Sequence, residues 1–383
     1  VAEMALALVL LVSAGLVVKS FSRLLRVDIG FNQHNLVAFQ VSPPASKYPS
    51  AQVVGYYRRL ETSLAGLPGV QSVGVGSNLP LSGRGAMGGG ISEDAWRTGE
   101  REPVPALQRV VHPTFFAAIQ TPLLSGRLFT PADADGPERL IINESLARRL
   151  WGDDDPVGKR LGWRANAEES DWREVIGVVG DVLYDEMDGE AYPAYYQYHP
   201  QQRWRTMWLF VRTAGDARTL IEPARSAIRR LDADVPIYDV QTLTQVVDRS
   251  IASPRFNVWL FGTFAAVALL LAVAGIYGVL SFVVAQRNRE IGIRIAMGAG
   301  HRAVIQLMLQ RSVKLISAGC AAGLLGALLG TRLLQHLLFD VSPTDPGILV
   351  VVVLVLAGTA LAASFIPARR ASLVDPMDIL REE

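Results

Sequence analysis

Four long apolar runs limit what this chain can become. The run from Val258 to Ala285 carries no charged side chain. As a helix rising ~1.5 Å per residue it is longer than a ~30 Å hydrocarbon core, so its outer turns are expected to project as a stalk. Trp259, near that end, suits an interfacial anchor. Leu315 to about Leu338 and Gly347 to Pro367 are the next two runs. The fourth comes first in the chain: Met4 to Val18, apolar apart from Ser13. It is short of the roughly 20 residues a bilayer needs. Val1, Ala2 and residues upstream of them would supply the remainder. No Met, charged leader or cleavage pattern precedes it, so the expectation is a piece of a longer polypeptide that begins inside a membrane span. The competing reading, the core of a signal peptide, lacks those same features. Half of the 383 residues are hydrophobic, and the excess sits in these runs. The class is therefore a membrane protein with a folded insert.

Residues 28–253 hold that insert. No window there is long and apolar enough to span, and Pro, Gly, Asp and Arg are scattered throughout. Two parts read as strand–helix–strand. Asn35–Val41 is β-like; Ala51–Leu67 is helical, with Val54, Tyr57, Leu60, Leu64 and Leu67 on one side; a Pro68-Gly69 stop follows, and Val70–Val75 returns. Met207–Val211, a helix from Asp216 with Leu220, Ala224, Ile228 and Leu231 in register, and Val235–Val240 repeat the pattern. The pair reads as an internal pseudo-repeat of two packed α/β lobes. Between them, Arg139–Ile142 and Trp172–Val179 are strand-like. Asn143 is placed to cap a helix that Asp155-Pro156 ends.

Charge sets the expected direction of each span. Gln286–Lys314 lies between the second and third runs. In it Arg287, Arg289, Arg294, Arg302, Arg311 and Lys314 stand against Glu290 alone. A basic loop between spans belongs in the cytoplasm. Its apolar spacing reads as a short amphipathic helix, a break at Gly298-Ala299-Gly300, and a second helix re-entering the bilayer; a loop that only fixes topology is the plainer alternative. Phe339–Pro346 carries Asp340 and Asp345 and no basic residue, which suits the outside, where Arg332 and His336 could pair with Asp340. Ala368-Arg369-Arg370 marks an inner flank. Lys19, Arg23 and Arg26 fall on the outside against the rule, which a long translocated domain overrides. Within the third run, Gly319, Gly323, Gly326 and Gly330 lie on one helix face, where small residues let another helix approach closely.

Several chemistries have no support. A net charge of +1 gives no footprint for nucleic acid. Cys320 is the single cysteine, which rules out an intrachain disulfide. There is no GxxxxGK[ST], HExxH or GxSxG. Gly83–Gly88 fits GxGxxG but lacks the helix and acid of a dinucleotide site, and reads as a loop. Asp153-Asp154-Asp155 reads as a solvated turn, and the Asn143-Glu144-Ser145 sequon lies at a helix start. No catalytic residue, metal site or cofactor is expected.

Arg289-Glu290-Ile291-Gly292, with Arg294, Ala296, Gly298 and Ala299, resembles the "REIGIRxAxGA" signature of FtsX-like permease domains. The tail Pro367–Ala371, Asp375-Pro376 and Leu380-Arg381 is similar to their closing pattern. "NESLARRLWGDDDPVGKRL" and "HPTFFAAIQTPLLSGRLFTPAD" resemble stretches of the periplasmic core domain of MacB-type permeases. A first span opening inside the chain is similar to the C-terminal half of the duplicated acidobacterial-type permeases. The resemblance implies four transmembrane α-helices with a large α/β (α+β) periplasmic domain between the first and second. It divides the chain into residues 1–27 (first span and stalk), 28–253 (periplasmic core domain) and 254–383 (permease domain), with a coupling segment at 286–314 and a cytoplasmic tail at 368–383. It implies a multi-pass inner-membrane subunit of an ABC-type transporter. Its partners would be a separate cytoplasmic ATPase docked at 289–299, the lipid bilayer, and a second copy or second permease half. The role implied is transmission of ATP-driven motion to the outer domain. A membrane-anchored sensor or scaffold that binds a protein outside and moves no cargo is the alternative.

Overall fold

The computed structural model describes residues 1–83, 87–93, 102–162, 172–185, 187, 189, 191–286, 301–330 and 338–372. It divides into two compact units, one of Val1–Arg26 with Ala252–Glu383 and one of Val27–Ile251. The chain enters through α1 (Ala2–Leu24). The second unit then runs β1 (Leu36–Val41), α2 (Ser50–Ala65), β2 (Val70–Gly76), β3 (Met87–Glu93), β4 (Val104–Val111), α3 (Phe115–Ile119), β5 (Leu123–Gly126), β6 (Arg139–Asn143) and α4 (Glu144–Trp151). It continues with β7 (Arg160–Gly162), β8 (Arg173–Val179), β9 (Ala194–Tyr198), α5 (His199–Gln202), β10 (Met207–Thr213), α6 (Ile221–Leu231), β11 (Ile237–Thr242) and α7 (Leu243–Ser250). The chain returns to the first unit in α8 (Ala252–Gln286), α9 (His301–Gly330) and α10 (Pro346–Ser372).

The two strand–helix–strand units form, but not as two lobes. β11, β1, β10 and β2 are neighbours in that order, each pair antiparallel. β10 therefore lies between β1 and β2, the split βαβ arrangement of ferredoxin-like domains. Two strands alone make a marginal sheet, whereas interleaving gives β1 and β10 partners on both sides. Alternation then sorts the side chains. Val37, Phe39 and Val41, Val73 and Val75, and Met207, Leu209 and Val211 join one core with α2 and α6. On α2 the buried residues are Val53, Tyr56, Tyr57, Leu60 and Leu64. That stripe is rotated slightly from the expected one: Val54 is only half-buried, and Leu67 lies beyond the helix. The opposite face of the sheet receives α3. A Cβ on Gly74 would sit 2.7 Å from Ala118 Cβ, and the Phe115 and Phe210 rings meet edge-on at 5.4 Å.

The strands inserted between β2 and β10 close on themselves. β4 pairs β3, β3 pairs β7, β7 pairs β8, β8 pairs β6, β6 pairs β9, and β9 returns parallel to β4. Closure leaves no free edge within the ring. Ile91, Val104, Leu140, Ile142, Val175 and Tyr195 share its core with Leu146 and Leu150 of α4. Asn143 caps α4 as expected, accepting from the Leu146 amide at 3.1 Å, and is fully buried. Its amide also donates to Tyr192 O at 2.9 Å. The Gly83–Gly88 stretch is not loop throughout, since Met87 and Gly88 belong to β3. Ring and sheet meet where Gly76 pairs Val111, flanked by Ser77 N to Val110 O at 2.8 Å and His112 N to Val75 O at 2.9 Å.

Candidate functional site

Among the described residues of the unit of Val1–Arg26 and Ala252–Glu383, four helices are long and apolar enough to cross a membrane. α1 is the most enclosed of them and α8 the least. α1 touches each of the other three. Met4, Ala7, Leu8, Val12 and Leu16 pack with Ala268 and Ala272 of α8, Ile316, Cys320 and Ala327 of α9, and Val352, Leu356 and Ala360 of α10. Trp259 on α8 is 70% exposed, as an interfacial or lipid-facing ring would be.

Three of the four glycines singled out on α9 lie against α1. A Cβ on Gly319 would fall 2.8 Å from Met4 Cβ. One on Gly323 would fall 2.8 Å from Leu8 Cβ and 3.1 Å from Ala5 Cα, and one on Gly326 3.2 Å from Val9 Cγ2. Gly330 meets nothing within 4 Å. The absence of side chains lets the two backbones approach until methylene and methyl groups fill the seam. At the end of α1 where the chain enters, Glu3 lies across α8, with Oε2 only 1.9 Å from where a Gly275 Cβ would be. An apolar crevice of about 150 Å³ opens there between Met4, Ile276, Val279 and Ile316.

At the other end, the segment between α9 and α10 is tied to α1. Lys19 Nζ donates to Asp345 Oδ2, Arg23 Nη1 to Asp340 Oδ2 at 2.8 Å, and the Phe339 amide to the buried Ser20 hydroxyl at 2.7 Å. Asp345 also accepts from the Ile348 amide at 3.2 Å at the start of α10. The Lys19 hydrogen bond, then that amide, holds its carboxyl below the usual range. Lys19 and Arg23 thus pair with the two acidic residues of the segment between α9 and α10. Asp340 is engaged by Arg23, while Arg332 and His336 lie outside the described residues. The loop acids and the stalk cations were each legible in the sequence. Their pairing was not, because more than three hundred residues separate them.

Arg289, Glu290, Ile291, Gly292, Arg294, Ala296, Gly298 and Ala299 all lie outside the described residues, as does much of the tail. α9 is described from His301 onward. α10 continues through Pro367 to Ser372, past the expected end of the fourth span.

In the Val27–Ile251 unit the described His, Cys, Asp and Glu residues form no group of three or more suited to a metal. Its polar clusters hold elements together. Asp133 accepts two hydrogen bonds from Arg127 and one from Arg139, each at 2.8 Å, and caps its own turn through the Thr130 amide. Those contacts, Arg127 foremost, hold its carboxyl well below the usual carboxylate range. Asp232, bonded by Lys47 and Tyr48, is lowered to about 2.

Four helices of membrane-crossing length and composition among the described residues, interrupted in sequence after the first by an α/β unit, define a multi-pass membrane protein. Residues 4–231 match the family described as MacB-like periplasmic core domain, and residues 262–376 match FtsX-like permease C-terminal. The chain belongs to the family of permeases that carry a MacB-like periplasmic core domain with an FtsX-like permease domain. It is 26% identical over 285 residues to the pyoverdine export ATP-binding/permease protein PvdT of Pseudomonas syringae pv. tomato, covering 70% of this chain and 42% of the relative. It is 24% identical over 278 residues to the macrolide export ATP-binding/permease protein MacB of Marinobacter nauticus, with the same two shares. The chain thus spans under half the length of these curated relatives. Among solved structures, the periplasmic region of MacB from Actinobacillus actinomycetemcomitans aligns at 14% identity and TM-score 0.38, covering 57% of this chain and 92% of that one.

Proposed function

We propose that this chain is the permease part of an ABC-type exporter and works with an ATP-hydrolysing partner. The observation that carries the reading is α1. This one helix is the hub of the membrane unit, touches all three other helices, and continues in sequence into the Val27–Ile251 unit. Family membership and the export roles that the names of PvdT and MacB state for those relatives support it. The sequence itself carries no phosphate-binding loop, so ATP would be hydrolysed elsewhere.

On this reading the ATPase presses on the segment from Arg289 to Ala299. The α1–α9 seam, with Gly319, Gly323 and Gly326 allowing Cβ-level contact, moves as a packed body. The Lys19–Asp345 and Arg23–Asp340 pairs carry the α9–α10 loop along with α1. The Val27–Ile251 unit lies in the periplasm and receives the motion. A second copy or a second permease half pairs with the chain in the membrane.

Purification of the full-length protein from its native membranes in mild detergent tests this. A P-loop ATPase is expected to co-purify, and to be lost with Arg294→Glu or Gly298→Pro. If no ATPase is recovered and a periplasmic protein is, the chain is a membrane-anchored sensor or scaffold instead. An ATPase retained at full coupling by both variants would remove the role given to Arg289–Ala299.

A further inference from the structure

The chain passes from α1 into the Val27–Ile251 unit through Ile29–Asn35, the segment ahead of β1. A free chain of that length reaches roughly 25 Å and has two soft dihedrals per residue. Helices shift by only roughly 1–2 Å when their interfaces repack. A loose segment would absorb such a shift of α1 before it reached the sheet. This one is held along its length. Ile29 O accepts from the Leu183 amide at 3.1 Å, Gly30 O from the Thr121 hydroxyl at 2.7 Å, and Asn35 O from the Thr213 amide at 2.9 Å. Gly30 is in the left-handed region at φ +77°, and a Cβ there would lie 1.6 Å from Asp181 O. The backbone of the segment therefore rests directly on the stretch that follows β8.

Arg212 completes the attachment. It lies on β10, on the strand face that Phe210 presents to α3, and is 4% exposed. Its planar fork is shared among three backbone carbonyls, each at 2.7 Å. Nε donates to Ala118 O, Nη1 to His34 O and Nη2 to Asn32 O. Ala118 and Ile119 end the short helix α3, where carbonyls have no partner within the helix. Arg212 occupies the first of them, and the Asn32 amide occupies the second at 2.9 Å. One side chain thus joins α3, β10 and the entry segment. A lysine ammonium is a point charge on a flexible stem and cannot reproduce that fork. We propose that Arg212 is a positioning residue that makes Ile29–Asn35 a rigid extension of β10 and α3, so that a displacement of α1 is delivered to the middle of the β11–β1–β10–β2 sheet. That role rests on the reading of α1 as the element that moves. Its test needs no ATPase, so its failure leaves the exporter reading standing.

Gly323→Ala supplies the displacement, because its added methyl falls 2.8 Å from Leu8 Cβ and must push on α1. Hydrogen–deuterium exchange of the full-length chain in detergent is compared with and without this change, in the Arg212 and the Arg212→Lys backgrounds. With Arg212 present, peptides containing the Thr121 and Thr213 amides are expected to change protection by about threefold or more, the lower end of coupling between linked sites, while β7 and β8 stay as they were. With Arg212→Lys the response to Gly323→Ala is expected to vanish. A residue that only stabilised the unit would change protection in Arg212→Lys itself and leave the response to Gly323→Ala intact. No response with Arg212 present overturns the proposal, as does an equal response with Arg212→Lys or one spread across the whole unit. If Arg212→Lys does not fold, the Arg212 background decides alone. Slow exchange of the Asn32 amide with a response confined to α3 and β10 upholds the role, and free exchange of that amide or no response removes it.

Discussion

A glycine in a membrane helix earns attention only where a neighbour would collide with the side chain it lacks. Gly323 is such a place. A Cβ there meets Leu8 Cβ at 2.8 Å and the Ala5 backbone at 3.1 Å, and backbone cannot turn aside as a side-chain tip can. Gly323→Leu should therefore cost about 1–3 kcal/mol through overpacking of the α1–α9 seam. Gly330→Ala, with nothing within 4 Å, should leave stability unchanged or slightly raised. Thermal unfolding of the two variants in detergent compares them, and an equal loss in both would remove the seam as the cause. The spacing of the glycines was legible in the sequence as a single face. Which of them face a partner, and that the partner is α1, depends on the helix packing.

Elements are joined by groups whose sequence neighbours give little hint of their role. Asp133 sits in a short 3-10 turn at Pro131–Ala134, between β5 and β6. Its carboxylate is 3% exposed and gathers Arg127 from one side and Arg139 from the other. Asp133→Asn would leave two guanidinium groups facing a neutral amide. A fully buried pair broken in this way costs 3–5 kcal/mol. Arg127 is half-exposed and regains water, so a loss of roughly 2–3 kcal/mol in the Val27–Ile251 unit is expected. Denaturant unfolding measures it, and a loss under half a kilocalorie would show the cluster to be incidental. The stretch containing Asp133 was recognisable in sequence as structural rather than catalytic. Its ion pairs were not, since no spacing rule puts two arginines on one aspartate across a turn.

At the scale of the molecule, the Val27–Ile251 unit has its own cores and, in its ring, a sheet without a free edge. Residues 27–251 expressed alone should therefore fold and stay soluble, with a single cooperative unfolding transition by circular dichroism. Its acid response should come in two windows. His199 is lowered from 6.5 to about 4, so the stability it withholds from the protonated state is full above pH 6.5 and is lost as pH falls toward 4. Asp133 and Asp232 are also lowered, from 3.8, so their contribution is full above pH 4 and is lost only below it. Stability that stayed flat from pH 7 to pH 4 would contradict the first window. An aggregated fragment at neutral pH would contradict the autonomy of the unit.

Local chemistry made the membrane spans, the stop and cap signals, and the period-2 and period-3.6 patterns readable from the sequence alone. Each depends on residues within a turn or two of one another: Asn143 ahead of α4, the glycines of α9, the uncharged run of α8. The α/β class of the inserted unit followed from the same patterns. Tertiary structure decided that the two strand–helix–strand units interleave instead of forming separate lobes, that the strands between them close into a ring, and that α1 becomes the hub of the bundle. It also brought His112 to His199, and Lys19 to Asp345. Pairing of strands and charges far apart in the chain is settled by which arrangement buries both faces of a strand and neutralises a desolvated group. Neither quantity can be read from a single stretch of sequence.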